Sequence, residues 1–144
     1  MTKRETTAPP TPEACAEEAA QYYDNARQIL RTAHIHQNRY TDVKPVREAC
    51  GTAYLAVLAA VRGYLLQQGV SPSRVPESYE ALCGALDRHS RNNGKVKHLF
   101  FDAYSGLHID GYYRGFTRVE TGKSVFQTAR LLIERLTGRK LHAA

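Results

Sequence analysis

The sequence predicts an all-α protein, a mostly up-and-down bundle of about five helices, from three observations. From Tyr40 to Gly69, the residues Val46, Cys50, Ala53, Val57, Val61, Tyr64 and Leu65 recur at spacings of three and four, and Ala49 to Val61 contains no charge. Four other stretches repeat apolar residues at helical spacing, and most begin or end at Thr, Pro or Gly. No segment alternates convincingly as a strand, and no repeat of fixed period is present.

The elements follow in order. Met1 to Pro10 is polar, holds Pro9 and Pro10, and is expected to be a disordered tail before a single domain over 11–144. Thr11-Pro12 reads as an N-cap with proline at the first helical position, and Ala19, Tyr22, Tyr23, Ala26, Ile29, Leu30 and Ala33 then make a helical stripe ending near His36. Gln37 to Tyr40 is expected to be a short connection. Thr41 or Asp42 caps the central helix, with Pro45 confined to its first turn. Ala49, Ala53, Ala56, Ala60 and Gly63 form a row of small residues on that helix, against which a neighbour can approach closely. Leu55, Leu58 and Leu66 widen its apolar surface further. Pro76 opens a shorter helix carrying Tyr79, Leu82, Cys83 and Leu86, and the next is expected to start at Lys95 with Val96, Leu99, Phe100, Ala103 and Leu107 inward. Gly111 and Gly115 predict a kink or termination there. A last helix from Thr117 or Thr121 to Thr137 turns Val125, Phe126, Ala129, Leu132, Ile133 and Leu136 inward, and Gly138 ends it.

Composition sets bounds on function. At 144 residues the chain can bury one core without metal or disulfide staples. Cys15, Cys50 and Cys83 form no C-x-x-C pair, and Cys50 and Cys83 fall on apolar faces as reduced core residues. The longest uncharged apolar run is short of the roughly 18 to 20 residues of a membrane span, and no signal-peptide core opens the chain, so a cytoplasmic protein without a membrane partner is expected. The net charge is +6, with twelve Lys/Arg against seven Asp/Glu in residues 73–144 and eight against seven in 1–72. Such an excess suits RNA or another polyanion.

The densest basic run is Arg88, Arg91, Lys95 and Lys97, with His89 and His98 interleaved. It reads either as a solvated loop or as a phosphate-binding surface. Within it Arg91-Asn92 followed by His98 has the form R-N-x5-H. This resembles the R-x(4 to 6)-H motif of the HEPN superfamily of small helical bundles, a metal-independent ribonuclease site. The resemblance implies that His98 acts as general acid or base on the ribose 2′-hydroxyl and that Arg91 stabilises the phosphoryl transition state.

A second resemblance covers more of the chain. Tyr22-Tyr23-x-Asn25-Ala26-Arg27, Cys50-Gly51-x-Ala53-Tyr54 and Ala103-Tyr104-x-x-Leu107-His108-Ile109-x-Gly111-Tyr112-Tyr113-x-Gly115 are similar to an uncharacterised bacterial family of small HEPN-like helical proteins. The resemblance implies the fold, and a dimer, more than any activity, and its signature histidine is His108. On a helix Tyr104, His108 and Tyr112 share one face. His108 reads either as a core histidine hydrogen-bonded to a tyrosine or to the Tyr40 to Asp42 corner, or as part of a polar pocket with Lys44, Arg47 and Asp24 that holds a phosphate.

His34 and His36, at i and i+2, point apart on a helix, and Ser105, His108 and Asp110 lack an oxyanion hole, so neither a metal site nor a hydrolytic triad is expected. No phosphate loop is present, no cofactor is expected, and most of the nine tyrosines are expected to be core or interface residues. The function expected is a non-catalytic binding module, dimeric, with RNA or another phosphate-bearing partner. The alternatives are a metal-independent ribonuclease of the toxin kind using Arg91 and His98, and an accessory subunit of a larger assembly.

Overall fold

The computed structural model describes residues 9–89 and 94–141; Met1–Ala8 and Arg91 lie outside them, and with them one half of the Arg91–His98 pair and all of the expected tail but Pro9 and Pro10. Helix α1, Pro12–Arg31, starts where the Thr11 hydroxyl accepts the Ala14 N–H at 3.1 Å. It stops short of the expected His36. Ile35–His36 (β1) and Arg39–Tyr40 (β2) instead pair as an antiparallel hairpin around Gln37 and Asn38, whose φ angles are 52° and 63°. Two left-handed central residues suit the twist of a two-residue hairpin turn. Strands of two residues are too short to alternate, so in the sequence this segment reads as a plain connection. Backbone bonds tie the hairpin to the linker before the last helix: Tyr40 N–H donates to Thr117 O at 2.7 Å, and Val119 N–H to Asn38 O at 3.1 Å.

Helix α2, Val43–Gln67, is capped by Asp42, whose carboxylate accepts the Lys44 N–H at 3.0 Å. Its stripe of Val46, Ala49, Ala53, Val57, Val61 and Leu65 is buried, and the small-residue row lets α1 approach: a Cβ at Gly63 would sit 2.7 Å from the Cβ of Cys15. By length and hydropathy α2 is apolar enough to cross a bilayer, yet 61% of its most apolar window is packed inside the bundle. Buried on most sides, it is the core helix.

After a 3₁₀ turn at Pro72–Arg74, α3 spans Tyr79–His89, starting later than Pro76 because the Ser78 hydroxyl accepts the Ala81 N–H at 3.1 Å. Helix α4, Gly94–Ala103, continues without a break as a π-helical segment, Tyr104–Arg114. The expected kink at Gly111 is therefore a change of helical pitch, and termination waits for Gly115 at φ 77°. Gly106 and Gly111 let this wider backbone lie against Val125 and Cys50, where added Cβ atoms would come within 2.6 and 2.5 Å of side-chain atoms. Helix α5, Val119–Thr137, ends at Gly138 in the left-handed region.

The fold is an all-α bundle, as expected. Gly63 of α2 meets Cys15 near the start of α1, and Gly111 near the end of the π segment meets Cys50 near the start of α2, so α1 and the π segment both run antiparallel to α2. One core joins them, with Tyr23, Phe100, Phe126, Leu107 and Leu132 among its largest buried side chains.

Candidate functional site

The N-terminal half of α2 and the π segment build two adjoining grooves. In a π-helix both i+4 and i+5 come round toward the same face. His108 consequently meets Tyr112 at 6.1 Å between ring centroids, nearly parallel, and the edge of Tyr113 at 4.9 Å. From α2, Tyr54 stacks on it at 4.7 Å, and Tyr104 closes the cluster at 5.5 Å. Among the described residues His108 makes ring contacts and no hydrogen bond, which corrects the expectation of a bond to a tyrosine hydroxyl or to the Tyr40–Asp42 corner. Burial among these rings lowers its pKa from the ordinary imidazole value of 6.5. Burial likewise raises the pKa of Tyr54, with the neighbouring Tyr104 and Tyr79 hydroxyls adding to it.

The first groove, of about 440 Å³, is lined by Gly51, Thr52, Tyr54, Leu55 and Leu58 of α2 and by His108 and Tyr112 of the π segment. Leu55 is 45% exposed and Tyr112 44%, so an apolar surface faces solvent where the stripe reading expected α2 to be nearly enclosed. The second groove, of about 280 Å³, holds Asp42, Lys44 and Arg47. Tyr112 and Glu48 line both. The Arg47 Nε–H donates to the Tyr112 carbonyl at 2.9 Å, which fixes the guanidinium beside the shared wall. Among the described residues Lys44, Arg47 and Glu48 have no ion-pair partner, whereas Arg62, Lys97, Arg114, Arg130 and Arg139 each face a carboxylate. The Asp42 carboxylate is engaged at the helix cap.

The expected pocket is therefore assembled in part. Lys44 and Arg47 share one groove, His108 occupies its neighbour, and Tyr112 separates them. Asp24 is not among their linings: its carboxylate takes Arg27 at 2.7 Å and Gln28 at 3.0 Å.

The other basic run is dispersed. Arg88 lines a groove with Arg74 and His89, while His98, exposed, lines another with Lys97 and the 55% exposed Phe101. Lys97 contacts Asp87 at 2.6 Å, a bond that raises its pKa and occupies its charge. Lys95 is exposed on α4.

Sequence reasoning passed over Glu48 and the role of Gly51. A glycine in the middle of a long helix costs about 1 kcal/mol relative to alanine, and that was the available signal. Tyr112 and Tyr113 lie outside the core, both being exposed.

A family model described as "Domain of unknown function (DUF5618)" matches residues 14–138. The solved structure of a protein of unknown function from Dyadobacter fermentans is similar at 27% identity, with a TM-score of 0.74, over 90% of this chain and 98% of that one. No curated protein matches the chain.

Proposed function

Because the chain belongs to that family of domains of unknown function, we propose on the geometry of its grooves that it is a non-catalytic binding module for single-stranded RNA. The carrying observation is Tyr112 standing as the common wall between an aromatic groove and a groove where Lys44 and Arg47, beside Asp42 and Glu48, form no ion pair among the described residues. Single-stranded nucleic acid is held by such pairs of features: a cationic track for the backbone and an exposed ring for the bases. A phosphate between Lys44 and Arg47 places the attached nucleoside beside Tyr112, with Leu55 beneath it. The reading keeps the HEPN-like kinship of the bundle, a cytoplasmic setting, and a dimer as its working form; the exposed Leu55, Tyr112 and Tyr113 are consistent with either ligand or partner contact.

The test is binding of a labelled single-stranded RNA pool across a salt series in EDTA. Lys44→Ala and Arg47→Ala are each expected to lower the slope of log affinity against log salt by about 0.7. Tyr112→Ala is expected to weaken binding by about 1 to 3 kcal/mol with the slope unchanged. RNA affinity that is absent, or indifferent to all three changes, rejects the module. RNA cleavage in EDTA that is lost in His98→Ala replaces it with the ribonuclease.

A further inference from the structure

We infer that the base held in the aromatic groove is guanine, read through Glu48. The inference rests on the RNA-binding reading and adds base identity to it. Lys44 and Arg47 account for the phosphate and Tyr112 for the stacking face, and neither distinguishes one base from another. The remaining polar groups of the aromatic groove are the Glu48 carboxylate, the Thr52 hydroxyl, the His108 ring and the hydroxyl of the buried Tyr54, which neighbours Tyr104 and Tyr79. His108 is packed among Tyr54, Tyr112 and Tyr113, and a neutral imidazole offers one donor and one acceptor, which singles out no base. Glu48 is different: it lines both grooves, has no ion-pair partner among the described residues, and at i and i+4 shares a helix face with Thr52.

An ionised carboxylate accepts hydrogen bonds and donates none. An unpaired base presents its Watson–Crick edge to such a group. Guanine offers adjacent N1–H and N2–H donors there, which match two carboxylate oxygens. Adenine and cytosine each set one amino donor beside an acceptor nitrogen, and uracil sets one N–H between two carbonyls, so each of these brings a lone pair against the carboxylate. Glu48 therefore attracts guanine and repels the other three, and its position between the grooves lets one nucleotide reach the carboxylate, the ring and the two cations together.

The experiment titrates the full chain with 5′-GMP, 5′-AMP, 5′-CMP and 5′-UMP, following the aromatic and amide resonances of the protein. GMP is expected to bind about tenfold more tightly than AMP, the scale of one bidentate base contact. Glu48→Gln presents a donor in place of one acceptor oxygen, and is expected to bring the four affinities together. Glu48 is exposed, so the variant is expected to fold normally. Equal affinities in the native chain, or a guanine preference that survives in Glu48→Gln, overturn the inference while leaving the RNA-binding module standing. Absence of binding by every nucleotide and by the RNA pool overturns both.

Discussion

The Tyr112 ring lies over Gly51 so closely that a Cβ at position 51 would stand 2.9 Å from its Cδ1. No real side-chain carbon tolerates that distance, so the groove wall stands where it does because residue 51 has no side chain. Gly51→Ala is expected to push Tyr112 aside and weaken RNA binding severalfold. The same change raises helix propensity by about 1 kcal/mol, which offsets the steric cost. Denaturation with and without the substitution should differ little; an unchanged RNA affinity would show that the wall position is immaterial.

Gly111 makes a closer approach still, and it is structural. A Cβ there would meet Cys50 Sγ at 2.5 Å and Cys50 Cβ at 2.6 Å, with the Gly106 carbonyl at 3.1 Å. Cys50 is fully buried, its thiol pKa pushed up to about 12 by burial, so nothing nearby is free to yield. Gly111→Ala is expected to destabilise the fold by about 1 to 3 kcal/mol in urea denaturation. Adding Cys50→Ala removes the sulfur and leaves the Cβ contact, so only partial recovery is expected; full recovery would place the strain elsewhere.

Asp42 separates stability from affinity. Its carboxylate caps α2 through the Lys44 N–H and also contributes negative charge to the groove of Lys44 and Arg47. Asp42→Ala is expected to cost about 1 kcal/mol of stability through the lost cap. Removing the anion should at the same time strengthen phosphate binding at low salt. Measured together, the two should move in opposite directions, and a parallel fall in both would mean that the cap sets the groove geometry.

His108 sets a direction for pH dependence. Its pKa in the folded chain lies below the ordinary 6.5, so between the two values the unfolded chain binds more protons. Stability from this residue is whole above about pH 6.5 and falls as the pH drops from there toward the folded value. His108→Gln is expected to flatten that part of the stability profile. An identical profile for the two proteins would mean that the ring cluster leaves the imidazole unperturbed.

Lys97 is the contrasting case among the basic residues. It belongs to the run that is densest in sequence, yet its ammonium faces Asp87 at 2.6 Å on an exposed surface. Lys97→Ala is expected to leave stability nearly unchanged, because solvent screens this exposed pair. RNA affinity should stay near that of the native chain. A loss matching that of Arg47→Ala would shift the phosphate track from α2 to α4.

What the sequence by itself determined is the set of helices and their inner faces. Helical periodicity, a Thr11-Pro12 start and a Gly138 stop are local signals, each made by residues a turn or two apart, and they located α1, α2 and α5 with small errors at the ends. The hairpin at Ile35–Tyr40 escaped because its stability comes from the turn geometry of Gln37 and Asn38 and from bonds to Asn38 and Tyr40 made by the distant Thr117–Val119 linker. The groove pair was half legible. Lys44, Arg47, His108 and Tyr112 stand out by type, but their meeting depends on Arg47 reaching Tyr112 across 65 positions and on two glycines admitting the π segment onto α2. Only tertiary packing decided that contact, and with it which charges stay unpaired among the described residues: Lys44 and Arg47 keep theirs, whereas Lys97 meets Asp87. Charge along a chain is read residue by residue, but whether a charge is available depends on which carboxylate the fold brings beside it.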